Sequence, residues 1–138
     1  MKRFEKYSGF FTGLLLVAAA LYFLYSKGII FANFESVAPS TAYEMIESDP
    51  QAVVLDVRTQ QEYRQDGHLQ KALLIPVQEL GKRLGELEPY KKRKIFVYCR
   101  SGHRSVKAAR MLADSGFVPI NIEGGINAWK RKGLPVVR

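Results

Sequence analysis

Cysteine is almost missing from this chain of 138 residues: there is one, Cys99. A lone thiol cannot close an intrachain disulfide and cannot build a cysteine-rich zinc site. It is either inert buried filler or a working group. Acidic residues are also scarce, 13 Asp and Glu against 21 Lys and Arg, for a formal net charge of +8. That excess is modest and scattered. It suits small anionic substrates or anionic lipid and argues against nucleic acid. No internal repeat or low-complexity tract is present, and an apolar content of 47% excludes a disordered chain. About a hundred residues follow the first apolar run, enough for one core and not for two.

Charge is missing altogether from Tyr7 to Ser26, a run of 20 residues bounded by Lys6 and Lys27. As a helix it spans about 30 Å, the hydrocarbon thickness of a bilayer. Leu14, Leu15, Leu16, Val17, Leu21 and Leu24 supply an apolar centre, and Tyr22, Phe23 and Tyr25 an aromatic belt at one end. We expect residues 1–33 to form a basic tail and transmembrane helix (about 7–26), followed by a soluble domain over 34–138. A cleaved signal peptide is the rival, with Met1–Lys6 as its basic region and Ala18, Ala19 and Ala20 as a small-residue cleavage site. Apolar and aromatic residues continue past that site to Tyr25, which favours an uncleaved anchor. Lys2, Arg3 and Lys6 precede the span and only Lys27 follows closely. Positive charge then keeps the N-terminus in the cytoplasm and exports the domain, in a bacterium to the periplasm. Gly9 and Gly13 match a GxxxG packing pattern, a spacing that chance also produces.

The rest alternates strands and helices. A first strand is expected near Phe34–Val37. Thr41 and Glu44 fit a capping box for a helix ending before Asp49 and Pro50. Ala52–Val57 is a continuous apolar run, as in a strand buried on both faces. A short helix over 59–64 stops at Asp66 and Gly67. A short strand follows at Ala72–Ile75, then a helical stretch over 77–87 weakened by Gly81 and Gly85. Ile95–Tyr98 reads as a buried strand, Ser105–Ser115 as a helix, Val118–Ile122 as a strand and Ile126–Lys132 as a helix. The pattern predicts an α/β fold with a parallel sheet covered on both faces.

Cys99 lies at the carboxyl end of one such strand, where open α/β sheets bind ligands. Arg100, Ser101, Gly102, His103, Arg104 and Ser105 follow it. Gly102 can take a positive φ, so that successive N–H groups turn inward as an anion-binding nest. The next helix adds partial positive charge at its N-terminus. With Arg100, His103 and Arg104 nearby, the expectation is a thiol favoured in its charged, nucleophilic form.

These residues carry a family resemblance. The stretches are Leu55-Asp56-Val57-Arg58 with Glu62-Tyr63, Gly67-His68-Leu69 with Ala72 and Ile75-Pro76, and Tyr98-Cys99-Arg100-Ser101-Gly102-His103-Arg104-Ser105 with Ala108, Ala109 and Leu112. Gly124-Gly125-Ile126 with Trp129 and Gly133-Leu134-Pro135-Val136 complete the set. In this order, over about residues 34–138, the chain resembles a single-domain rhodanese. The resemblance implies a five-stranded parallel sheet with helices on both faces and sulfurtransferase activity through a cysteine persulfide. Cys99 would carry the sulfur, the residues from Arg100 to Arg104 would complete the active loop, and Asp56 and Arg58 would brace it. Thiosulfate or a polysulfide would be the donor and a thiol or protein the acceptor, with no metal or organic cofactor. Asp56 and Arg58 read equally well as purely structural. His68 reads as structural and Trp129 as core. One departure is Gln70-Lys71, where the family often has Pro-Gly or similar; it alters a turn beside the site.

Two other functions are consistent with the residues. One is a non-catalytic, membrane-tethered module that binds a partner or senses reactive sulfur. The other is a cysteine-dependent phosphatase, but those enzymes carry a Cys-x5-Arg loop. The Cys99-to-Arg104 spacing is one residue shorter and makes a smaller cradle.

Overall fold

The computed structural model describes the chain from Lys2 to Arg138, with side chains described from Tyr7 onward. The flanking charges Lys2, Arg3 and Lys6 therefore lie outside the described side chains. Helix α1 (Lys2–Ser26) is followed by β1 (Glu35–Val37), α2 (Pro39–Ser48), β2 (Val53–Asp56), α3 (Gln60–Gln65) and β3 (Leu73–Leu74). Then come α4 (Val77–Arg83), a 3-10 segment (Leu84–Tyr90), β4 (Lys94–Tyr98), α5 (His103–Asp114), β5 (Val118–Ile122) and α6 (Gly125–Arg131). The five strands form one sheet in the order β1-β5-β4-β2-β3, and every pairing is parallel.

Alternation along the central strands divides the core. Leu55, Ile95 and Val97 face one side with Leu80, Ala108 and Leu112. Val54, Phe96, Ile120 and Ile122 face the other with Ala42, Ile126 and Trp129. Both faces being covered, the strands carry no polar alternation, which is why they read as unbroken apolar runs. Trp129 is core as expected: it stacks edge-on against Tyr43 and donates its indole N–H to the Pro135 carbonyl.

Local signals explain most boundaries. Thr59 caps α3, its hydroxyl accepting from the Glu62 N–H at 3.2 Å. The Thr41–Glu44 capping box is not formed. The helix begins earlier, with Pro39 in its first turn and Ala38 as a cap that makes no side-chain bond. Proline supplies a preset φ and needs no N–H partner there, so it sets the start. Likewise α5 begins at His103 and not at Ser105, directly after the left-handed Gly102. Over 77–87 the helix gives way to the 3-10 segment at Leu84, which carries Pro89 inside it.

Over Tyr7–Ser26, α1 has a mean hydropathy of 1.8 and no residue of that stretch is buried. It is long and apolar enough to cross a membrane. Among the described residues, nothing lies within 4 Å of a Cβ placed on Gly9 or Gly13.

Candidate functional site

Parallel pairing with β2 and β5 places the end of β4 at the centre of the sheet. The chain leaves the sheet there at Cys99 and turns into α5. Cys99 is 1% exposed, and its Sγ accepts from the Gly102 N–H at 3.1 Å. Gly102 stands at φ 113, a conformation that side-chain-bearing residues rarely adopt, and this turn aims its N–H at the sulfur. Ser105 Oγ lies 3.5 Å from Sγ and bonds to Asn121 Oδ1 at 2.7 Å. In turn the Asn121 amide donates to Ser36 Oγ at 3.3 Å. A polar chain thus runs from the thiol through Ser105 to strands β5 and β1. With the sulfur as a thiol, its S–H donates to Ser105. With it ionised, the Ser105 hydroxyl donates to it only by giving up its proton's bond to Asn121 Oδ1.

The loop is pressed against α6. Ile126 N–H donates to the Cys99 carbonyl at 2.9 Å and Asn127 N–H to the Arg100 carbonyl at 3.1 Å. A Cβ on Gly125, which stands at φ 60, would collide with the backbone of Cys99 and Arg100. Glycine is therefore required for the backbones to approach this closely.

Among the described residues, Arg104 is the loop cation paired with an acid. It donates to both Glu62 oxygens, at 2.7 and 2.8 Å. The Arg104 hydrogen bonds hold the Glu62 carboxyl below its ordinary range, and that pairing together with the Cys99 charge raises Arg104. Arg100, Ser101 and His103 are exposed. The arginines expected beside the thiol therefore differ: Arg100 is exposed, while the charge of Arg104 is countered by Glu62.

Asp56 and Arg58 form a buried ion pair at 2.7 Å with both side chains at 0% exposure. Asp56 also accepts from Tyr98 Oη at 2.7 Å, and Arg58 donates to the Gly67 carbonyl at 2.7 Å. Tyr98 Oη accepts from the Leu69 N–H at 3.1 Å. Burial and the facing Asp56 charge push the Tyr98 hydroxyl far up, so it stays neutral. The pair reaches Cys99 through the strand, because Tyr98 is its neighbour. His68 stacks on Tyr63 with centroids 3.8 Å apart and pairs its backbone with Val137, a structural position. Lys71 in the departing turn takes φ 59, the conformation that glycine adopts without strain.

Sequence reasoning singled out neither Asn121 nor Glu62 as site residues. Asn121 had a signal: it is the polar residue inside the otherwise apolar run Val118–Ile122. Glu62 had only its place in a motif. Among the described residues no group of His, Cys, Asp and Glu is placed to hold a metal ion.

A doubly covered parallel α/β sheet with a cysteine loop between its central strand and the next helix defines the class. The chain belongs to the rhodanese family: the rhodanese-like domain matches residues 38–132. It is 40% identical over 86 residues to a sulfurtransferase of Allochromatium vinosum, covering 62% of this chain and 78% of that protein. It is also 40% identical over 97 residues to a tRNA uridine(34) hydroxylase of Cronobacter sakazakii, covering 64% of this chain. The match spans only 28% of that hydroxylase. Among solved structures, a rhodanese-related protein of Thermoplasma volcanium superposes with a TM-score of 0.69 at 34% identity. That match covers 75% of this chain and 98% of the other.

Proposed function

We propose that the protein is a membrane-anchored sulfurtransferase that carries sulfane sulfur as a persulfide on Cys99. The observation that carries this reading is the Sγ held between the Gly102 N–H and Ser105 Oγ at the sheet's carboxyl edge, in a chain of the rhodanese family. The Cys99 thiolate attacks the outer sulfur of thiosulfate. A Cys–S bond forms, the donor's S–S bond breaks, and sulfite leaves with the bonding pair. A thiophilic acceptor then attacks the outer sulfur and the Cys99 thiolate is restored. The Gly102 N–H stabilises the anionic sulfur, with Ser105 Oγ beside it, and exposed Arg100 draws in the anionic donor. A polysulfide serves the same site by the same step, and a thiol or a partner protein takes the sulfur.

The anchor is α1, and its uncovered, apolar surface supports this. Three basic residues before the span against one after it support an N-terminus in the cytoplasm and a domain exported, in a bacterium, to the periplasm. A topology reporter fused to the C-terminus tests the side, and the intact mass of the membrane-bound protein tests whether the N-terminal segment is retained or cleaved as a signal peptide.

The activity is tested on the full chain in detergent, incubated with thiosulfate and weighed intact beside Cys99→Ala. The expected result is a gain of one sulfur atom, lost on adding cyanide as thiocyanate forms, and absent from the variant. No gain with thiosulfate or with polysulfide overturns the reading.

A further inference from the structure

The end of α1 is built into the neighbourhood of the active loop. Arg110 of α5 lies with its guanidinium carbon 3.8 Å from the Tyr25 ring centroid. It donates to the Phe31 carbonyl at 2.6 Å, to Ile30 at 3.2 Å, and to Tyr25. Gly28 turns at φ 70, and a Cβ there would stand 3.0 Å from Phe34 and 3.3 Å from Val106. The last turns of α1 are therefore held against α5, and α5 starts where the Cys99 loop ends. A cleft of ≈ 560 Å³ separates Phe23, Lys27 and Ile29 from Ser101, Gly102 and Gly124. A second, of ≈ 440 Å³, lies between Tyr22 and Tyr25 on one side and His103 and Lys107 on the other.

Just past the helix, Ile29 is 64% exposed and Phe31 82%. Phe31 stands at φ 53, a left-handed conformation that a bulky residue resists. Arg110 holds that backbone by its carbonyl, yet the ring stands open to the outside. Ile29 lines the first cleft beside Lys27, and Lys107 lines the second beside Tyr22 and Tyr25. Aromatic and aliphatic groups beside cations, directly after a span, match the bilayer's interfacial layer of acyl chains and anionic headgroups.

We propose that Ile29 and Phe31 insert into the interface of the bilayer crossed by α1, and so seat the Cys99 loop at the membrane surface. This rests on the reading of α1 as an anchor. The cleft between α1 and the loop then opens along the bilayer, and Lys107 lies at headgroup depth.

The test uses the full chain in vesicles of phosphatidylcholine and phosphatidylglycerol, with a portion of the lipids brominated high on their acyl chains. Wild type, whose buried Trp129 is its sole tryptophan, supplies the fluorescence baseline. Phe31→Trp and Lys107→Trp report the two positions. The expected result is that bromination at least halves the added emission of Phe31→Trp and lowers that of Lys107→Trp less strongly. Retention of the protein after alkaline carbonate washing checks the anchor separately. Release by carbonate overturns the anchor and the inference together. Retention with neither added tryptophan quenched overturns the inference alone. Quenching at position 31 without any at 107 overturns the seating of the loop.

Discussion

Arg104 and Glu62 are joined across 42 residues of sequence by two hydrogen bonds, at 2.7 and 2.8 Å. The pair ties the Cys99 loop to α3 and neutralises the charge of Arg104. Replacing Glu62 with Gln leaves Arg104 free to meet an anionic donor. The expected outcome is a KM for thiosulfate lowered several-fold, more at low ionic strength than at high, in steady-state assays.

The same pair makes stability depend on pH. The Glu62 carboxyl is lowered by Arg104 in the folded protein, so the unfolded chain binds its proton at a higher pH. The contribution is full above the unfolded pKa of about 4.3 and disappears as the pH falls through the folded value. Both side chains are partly exposed, so it amounts to about 1 kcal/mol or less. Melting temperatures of wild type and Glu62→Gln should differ at neutral pH and converge in acid.

Gly125→Ala should be severely destabilising. A methyl group there strikes the carbonyls of Cys99 and Arg100 and also strains a backbone at φ 60. Backbone cannot move aside as a flexible side chain can. A cost of about 2–4 kcal/mol is expected, read as a melting temperature lowered by several degrees and a loss of persulfide formation.

Asp56→Asn removes the partner of a guanidinium that has no exposure to water. Leaving that charge buried and uncompensated should cost about 3–5 kcal/mol. Tyr98→Phe strips only a neutral hydroxyl from the same network and orphans the Leu69 N–H, for about 1–3 kcal/mol. Thermal melts of the two variants should rank in that order, and the reverse order would remove the ion pair from its structural role.

Ser105→Ala keeps the packing and takes away the hydroxyl 3.5 Å from the sulfur. If the hydroxyl stabilises an ionised sulfur, persulfide formation should slow by about tenfold or more. Stopped-flow measurement of sulfite release reports this step, while the melting temperature controls for the lost bond to Asn121.

The alternation of fully apolar strands with helices stated the parallel α/β sheet in advance, because both periodicities are local. The loop from Cys99 to Ser105 was equally legible: a thiol, a glycine and cations within a few residues of a strand end need no partner elsewhere to be recognised. Helix starts were read less well. Thr41 and Glu44 have the right spacing for a cap, but the helix starts at Pro39 after Ala38, three residues earlier.

What tertiary structure alone decided is which groups meet. Nothing near Arg104 in sequence says that Glu62 counters it. Nothing near Cys99 says that Asn121 stands behind Ser105, or that Gly125 must be bare for the loop to close. The seating of Ile30 and Phe31 against α5 also depends on Arg110, some eighty residues further along. Such contacts depend on how separate elements pack, and packing is a property of the whole chain that no local pattern encodes.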